Sequence, residues 1–258
     1  KAYIIRRKER AKIRDFKYNK TYYKTVLGLL KGETNDVSKE NANKDPKQFF
    51  TMRDLVAGET CKKIYKDFIM DSKLLELHNK GIIHVHDTDY RAMKGMTNCC
   101  LINLKDMLIN GTCVQGKRIH NIHSLIVASN VTTQIIAAVG SSQYGGITID
   151  ISHLSPFIER SKIKYKDIFK DLDGPIQEKY VNTFIKKEIV DSIQLIQYQL
   201  NTLTTTNGQS PFITIACNTN GQDDEYPEYT AMLIEELLKQ RIKGMEGPNG
   251  NNINPSFP

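Results

Sequence analysis

Three short stretches of this 258-residue chain carry side chains suited to chemistry. Cys99 and Cys100 are adjacent within Met96-Thr-Asn-Cys-Cys-Leu-Ile-Asn103. A thiol donates a hydrogen atom or becomes a nucleophile. Side chains alternate along a strand, so only one of the two can face a site while the other turns to the core. Twelve or so residues earlier comes His84-Val-His86-Asp87. An imidazole there could move a proton near neutral pH, and His84 with His86 could also approach a metal from one strand face. No third and fourth ligand stand at a recognisable spacing, and no C-x₂-C pair occurs, so no metal site is assigned. Ser141-Ser-Gln-Tyr-Gly-Gly146 adds hydroxyls from Ser141 and Ser142, an amide from Gln143, and backbone that can come close to a ligand.

Two further patterns fail on chemistry. Gly111-Thr-Cys-Val-Gln-Gly116-Lys117 has the spacing of a phosphate-binding loop, but Arg118 stands where that loop needs Ser or Thr for Mg²⁺. A hairpin-like turn at Asn110-Gly111 fits better. Asn110-Gly-Thr112 matches a glycosylation acceptor, which has no use in a reducing compartment.

The elements that must position these residues follow from periodicity. Ile64, Phe68, Leu74, Leu75 and Leu77 predict a helix over 59–77, stopped at Asn79-Lys-Gly81. Residues 82–86 read as a short strand delivering His84, His86 and Asp87 to its end. A broad, nearly uncharged apolar helix is expected over 121–139 with Gly140 past its end, and its breadth suggests a helix-to-helix interface. A second long helix starts at Pro175 and runs to about Leu200, followed by a loop, a strand over 211–217 and a helix over 227–242. Strands separated by helices imply parallel pairing and an α/β architecture.

Charge is unevenly placed. Residues 1–30 carry ten Lys or Arg against two acids, so nearly all of the net +7 belongs to this segment. It reads as a solvated basic arm or as a contact surface for phosphates. Residues 31–48 have little apolar content and read as a linker, giving a division into a basic arm and polar linker (1–48) and a main domain (49–258). Five cysteines, odd in number and irregularly spaced, with charge at the N-terminus, point to a reducing cytoplasm. No window reaches the ~18 consecutive apolar residues of a membrane helix. The chain starts without Met and stops in loop chemistry, so both ends read as cuts through a longer protein.

Taken together, these segments resemble the anaerobic (class III) ribonucleoside-triphosphate reductase family. The resemblance covers roughly residues 41–258. It runs from Asn41-Ala-Asn-Lys-Asp through Gly81-Ile-Ile-His-Val-His-Asp-Thr-Asp-Tyr90, Met96-Thr-Asn-Cys-Cys-Leu101, Gln134-Ile-Ile-Ala, Ser141-Ser-Gln-Tyr-Gly-Gly146 and Asn207-Gly-Gln-Ser-Pro-Phe212 to Arg241-Ile-Lys-Gly244. Residues 1–40 carry none of it, and no N-terminal ATP-cone is evident. The resemblance implies an α/β fold that is the N-terminal part of a ten-stranded barrel of glycyl-radical type, with long helices forming a dimer interface. It implies reduction of ribonucleoside triphosphates to 2′-deoxyribonucleoside triphosphates, with Cys99 as reducing cysteine, His84 beside it, and Cys100 turned to the core. Asn98, Ser141, Ser142, Gln143, Asn207 and Gln209 become substrate-binding candidates. Gln134, Lys117 and Arg118 become candidates for an ATP or deoxynucleotide effector.

The same resemblance implies a glycyl radical and a zinc site on segments with no counterpart in these residues. It also implies formate as reductant, a homodimer, and a radical-SAM iron–sulfur activating enzyme as partner. The alternatives are another glycyl-radical enzyme such as a formate-lyase, and a catalytically inactive, dimerising nucleotide-binding module.

Overall fold

The computed structural model describes residues 2–17, 20–33, 47–93, 99–143, 145–206, 208–219 and 224–254. The chain packs as two units. One comprises Lys1–Thr97 with Thr206–Gln209, the other Asn98–Thr205 with Ser210–Pro258. The packed units therefore divide near residue 97 rather than at 48. Most of the expected linker lies outside the described residues.

The first unit is helical: α1 (Ala2–Lys17), α2 (Lys20–Leu30), α3 (Phe49–Ile64) and α4 (Ser72–Asn79). The helix expected over 59–77 is broken. A π-helical turn, Tyr65–Ile69, ends α3, and α4 restarts from Asp71, whose carboxylate accepts the Lys73 and Leu74 backbone N–H groups at 2.9 and 3.3 Å. The strand expected over 82–86 does not form either. The Val85 N–H donates to the His78 ring Nδ1 at 3.3 Å, Arg91 Nε donates to the His86 carbonyl, and Asp87 takes a positive φ of 53°. Side chains have captured the backbone groups that a strand ladder would need.

The second unit is α/β. Strands β1 (Cys100–Leu101), β4 (Ile147–Asp150) and β5 (Ile213–Ala216) form a parallel sheet in the order β1-β4-β5, with Cys100 opposite Ile147 and Ile147 opposite Ile213. Helices α5 (Leu104–Ile109), α6 (Leu125–Ser142), α7 (Ser155–Ile168), α8 (Gly174–Thr202) and α9 (Pro227–Lys243) supply the crossovers and layers. Their apolar stripes meet the sheet in one core that includes Leu125, Ile135, Ile136, Ile147, Phe157, Ile193 and Leu233. Each large side chain sealed there adds ~1.5–3 kcal/mol of burial. A hairpin, β2 (Thr112–Val114) with β3 (Lys117–Ile119), turns through Gln115 and Gly116, both at positive φ (48° and 74°). The hairpin turn is thus at 115–116, not at Asn110-Gly111, where Gly111 instead follows α5. The phosphate-loop spacing belongs to this hairpin and opens no helix. A second short pair, β6 (Met245–Glu246) with β7 (Asn252–Ile253), closes the described chain.

Helix α6 differs from expectation in its bounds and in the direction of its apolar face. It starts after Asn121, whose φ of 57° ends the preceding extended chain, and it continues through Gly140. That glycine is buried inside the helix, and a Cβ there would stand 3.0 Å from Thr205 Cγ2. It serves close packing, not termination. The apolar face expected to be an interface is turned inward: Leu125, Val131, Ile135 and Ile136 belong to the core beside α8. By length and composition α6 could cross a membrane, but half of it is buried within its unit, as befits a core helix. Its first N–H groups are satisfied from outside. Leu125 donates to Ser161 Oγ at 2.8 Å and Ile126 to Glu188 Oε1 at 3.0 Å, while Ser161 also donates to Glu188 at 2.9 Å. Glu188, only 5% exposed, thereby ties α6, α7 and α8 together.

Tyr165 of α7 feels the same carboxylate. Burial first, then the charge of Glu188, pushes its phenol up to about 12 from the ordinary 10.0. A folded pKa above the unfolded one contributes stability below pH ~10, lost as pH rises toward 12. Thermal melts followed by circular dichroism should therefore show a falling midpoint between pH 10 and 12. Tyr165→Phe should blunt that fall, and an identical alkaline profile would refute the assignment.

Candidate functional site

Cys99 immediately precedes β1, and Cys100 opens it by donating its N–H to the Gly146 carbonyl at 3.0 Å. The two thiols part accordingly. Cys100 packs partly buried against the core, where burial raises its pKa and the nearby Gln143 side chain works against that rise. Cys99 is exposed. Gly146 lies beside it, since a Cβ at that glycine would be 3.8 Å from Cys99 Sγ. The stretch 141–146 therefore meets the cysteine pair through the Gly146 backbone, which approaches both residues. The residues of the stretch are legible in the sequence but this contact is not, because it depends on the parallel register of β1 with β4.

Ser141 and Ser142 occupy the last turn of α6. Their hydroxyls donate to the carbonyls of Ala137 (2.8 Å) and of Ala138 and Val139 (3.2 and 3.1 Å). Gln134 is exposed midway along α6, and Lys117 and Arg118 are exposed on β3. The β2 strand of that hairpin packs on α6.

In the first unit, His84 lies between two other imidazoles. Its ring centroid is 5.5 Å from that of His78 and 5.0 Å from that of His86, and His86 Nδ1 lies 3.5 Å from Asp87. His78 accepts the Val85 N–H, so its Nδ1 carries no proton in that contact, and desolvation, Lys66 and His84 all lower its pKa. Nothing in the sequence singles out His78. Its spacing from His84 follows no strand or helix period and becomes visible only with the turn at 80–83. Gln209 is buried, next to Gly208, whose carbonyl accepts the Thr51 hydroxyl at 3.0 Å. Asn98 and Asn207 lie outside the described residues. Among the described residues, no group of three or more His, Cys, Asp or Glu side chains is placed to hold a metal ion.

The comparisons with known proteins agree with one another. The family model for anaerobic ribonucleoside-triphosphate reductase matches residues 40–258. The enzyme of that name from Enterobacteria phage T4 is 38% identical over 242 residues, which is 92% of this chain and 38% of the phage protein. That of Haemophilus influenzae is 36% identical over 261 residues, all of this chain and 35% of its own length. The chain thus spans somewhat over a third of these relatives. A crystal structure of the Thermotoga maritima anaerobic ribonucleotide reductase, in complex with dATP and CTP, has a TM-score of 0.52 at 13% identity. It covers 86% of this chain and 41% of its own, and supports the α/β fold alone. With 219 of its 258 residues under the family model, this chain belongs to the anaerobic ribonucleoside-triphosphate reductase family.

Proposed function

We propose that this chain forms the N-terminal part of the catalytic barrel of an enzyme that reduces ribonucleoside triphosphates to 2′-deoxyribonucleoside triphosphates. The observation that carries the reading is the split environment of the cysteine pair. Within a family of reductases, one thiol is open beside a glycine backbone and its neighbour is tucked toward the core. Cys99 gives a hydrogen atom from its S–H bond to the substrate. His84 carries the proton that leaves with the 2′ hydroxyl as water. Formate restores the electrons on oxidation to carbon dioxide, so the sum is ribonucleotide, formate and a proton going to deoxyribonucleotide, water and carbon dioxide.

Asn98, Ser141, Ser142, Gln143, Asn207 and Gln209 hold the substrate. A glycyl radical carried elsewhere in the protein, installed by a radical-SAM activating enzyme, would supply the oxidising start of the reaction. That radical would act through a cysteine carried on another segment, leaving Cys99 to the reductive step. The zinc site of the family is assigned to no residue of this chain.

Gln134, with Lys117 and Arg118 for phosphates, contacts an ATP or deoxynucleotide effector at a homodimer interface along the outer side of α6. The inward packing of α6 changes how that interface is tested. Ile135 is a core residue whose replacement by Glu would unfold the unit, whereas Ile126 is only half-buried. Ile126→Glu should lower the mass measured by sedimentation from dimer to monomer. An unchanged mass in a folded variant removes the interface.

The reaction itself is tested in the protein carrying the radical glycine. It would be activated anaerobically and supplied with a ribonucleoside triphosphate and labelled formate. Deoxynucleotide formation matched by labelled carbon dioxide is expected, and His84→Ala should lower kcat with little change in KM. Product formed without formate oxidation would exclude formate as the reductant.

A further inference from the structure

Away from every residue assigned to the reaction, the first unit holds a cavity of about 310 Å³ between α2 and the end of α3 with its π-helical turn. Its floor is cationic. Lys62 and Lys63 come from the last turn of α3, and Lys66 comes from the π turn. Glu59 pairs with Lys62 at 3.0 Å and Asp67 pairs with Lys63, so three ammonium groups face two carboxylates.

Lys66 is the cation left over. It is half-buried and makes no hydrogen bond or ion pair with any described residue. Burial and the neighbouring Lys62, against the weaker pull of Glu59, hold its ammonium below the ordinary lysine range. Crowding like charges onto one helical face destabilises the helix, and π-helical turns recur where function has imposed such a placement. The opposite wall is formed by Tyr22 and Thr25 of α2, with the Tyr22 hydroxyl 2.7 Å from Thr60 Oγ1. The strongly basic first 30 residues add a long-range field that draws anions toward this unit.

We infer that this cavity is a binding site for a small phosphate-bearing anion, seated against Lys66 and Lys62 beside the α2 wall. The volume lies at the lower end of small-molecule sites, ~300–1,000 Å³, which suits a phosphate or a short polyphosphate group. Ammonium groups bind phosphate oxygens as mobile point charges, and a half-buried ammonium that no carboxylate contacts directly gains most from such an anion. The site is separate from the radical chemistry and stands or falls without it.

The test titrates the 258-residue chain with inorganic phosphate, tripolyphosphate and ATP in turn, at constant ionic strength, by calorimetry. In parallel, lysine acylation by acetic anhydride is followed residue by residue by mass spectrometry. Saturable binding is expected, with Lys66 acylation slowed by the bound anion while exposed Lys80, paired with Glu76, reacts as before. Lys66→Met should weaken binding about tenfold or more, as for loss of one charge-assisted hydrogen bond, and Lys66→Arg should retain it. Protection by all three probes assigns the site to free phosphate as well. Protection by tripolyphosphate and ATP alone assigns it to a nucleotide's phosphate tail. Lys66 acylation untouched by any of the three overturns the inference, and so does unchanged affinity in a folded Lys66→Met. The acylation arm uses the unaltered protein, so it decides the matter even if a variant does not fold.

Discussion

In the radical-activated protein, Cys99→Ser should abolish deoxynucleotide formation, a loss of about a thousandfold or more, as when a member of a catalytic unit is removed. An alcohol O–H is far harder to cleave homolytically than a thiol S–H, so serine keeps the shape and loses the chemistry. Cys100→Ala, one residue away, should cost only about 1 kcal/mol of stability, because it deletes a small, partly buried side chain and its contact with Gln143. The glycyl radical signal in electron paramagnetic resonance should survive Cys99→Ser, since radical installation does not use this thiol. Full turnover by Cys99→Ser would sink the assignment. Turnover lost in Cys100→Ala alone would mean that the inward thiol is the donor.

The largest stability effect is expected at Gly208, in the Asn207-Gly-Gln-Ser-Pro-Phe stretch that helped to identify the family. Its φ is +76°, and a Cβ there would lie 2.2 Å from Thr51 Oγ1, 2.8 Å from Phe50 Cδ2 and 2.9 Å from Thr51 Cα. Thr51 is fully buried in the first turn of α3, so the backbone contact cannot be relieved by a rotamer change. Left-handed strain of ~1–2 kcal/mol and overpacking of ~1–3 kcal/mol together predict that Gly208→Ala loses about 2–5 kcal/mol. That is a large share of a domain's usual ~5–15 kcal/mol. Gly174, with open space around it and an ordinary φ, is the control, and its change to Ala should be near neutral. Equal denaturant midpoints for the two variants would show that the close approach to Thr51 is wrong.

How much of this could be read from residues alone depended on how local the cause was. The long helices α8 and α9 were legible because apolar spacing and an N-terminal proline are local signals, and they begin where Pro175 and Pro227 predict. The parallel sheet followed from strands alternating with helices. The elements around the histidines escape a reading by periodicity because their backbone bonds go to side chains: Asp71 restarts a helix, and the His78 ring occupies the Val85 N–H. Apolar breadth likewise could not tell a core helix from an interface helix. For α6 the deciding residues, Ser161 and Glu188, lie 36 and 62 positions away from the N–H groups they satisfy. Within the candidate site, the segments were visible in advance. The pairing of Cys99 with Gly146 was not, because strand register creates it.

The order β1-β4-β5 leaves a strand at each margin of the sheet whose outer side has no strand partner among the described residues. Leu101, at one margin, is 83% exposed. Such a row of N–H and C=O groups is a template for whatever extended chain reaches it first. In a closed barrel the next strand would seal it, whereas among isolated copies of this chain the nearest supply of extended backbone is another copy. Mutual repulsion from the net charge of +7 holds copies apart at low salt, but its range shrinks to ~10 Å at 0.1 M salt. Added salt should therefore bring on assembly of the isolated chain, seen as rising light scattering, and a proline in place of Ile215, whose N–H turns away from β4, should suppress it. Charge repulsion thus gates the assembly that the open margins of the parallel sheet would template.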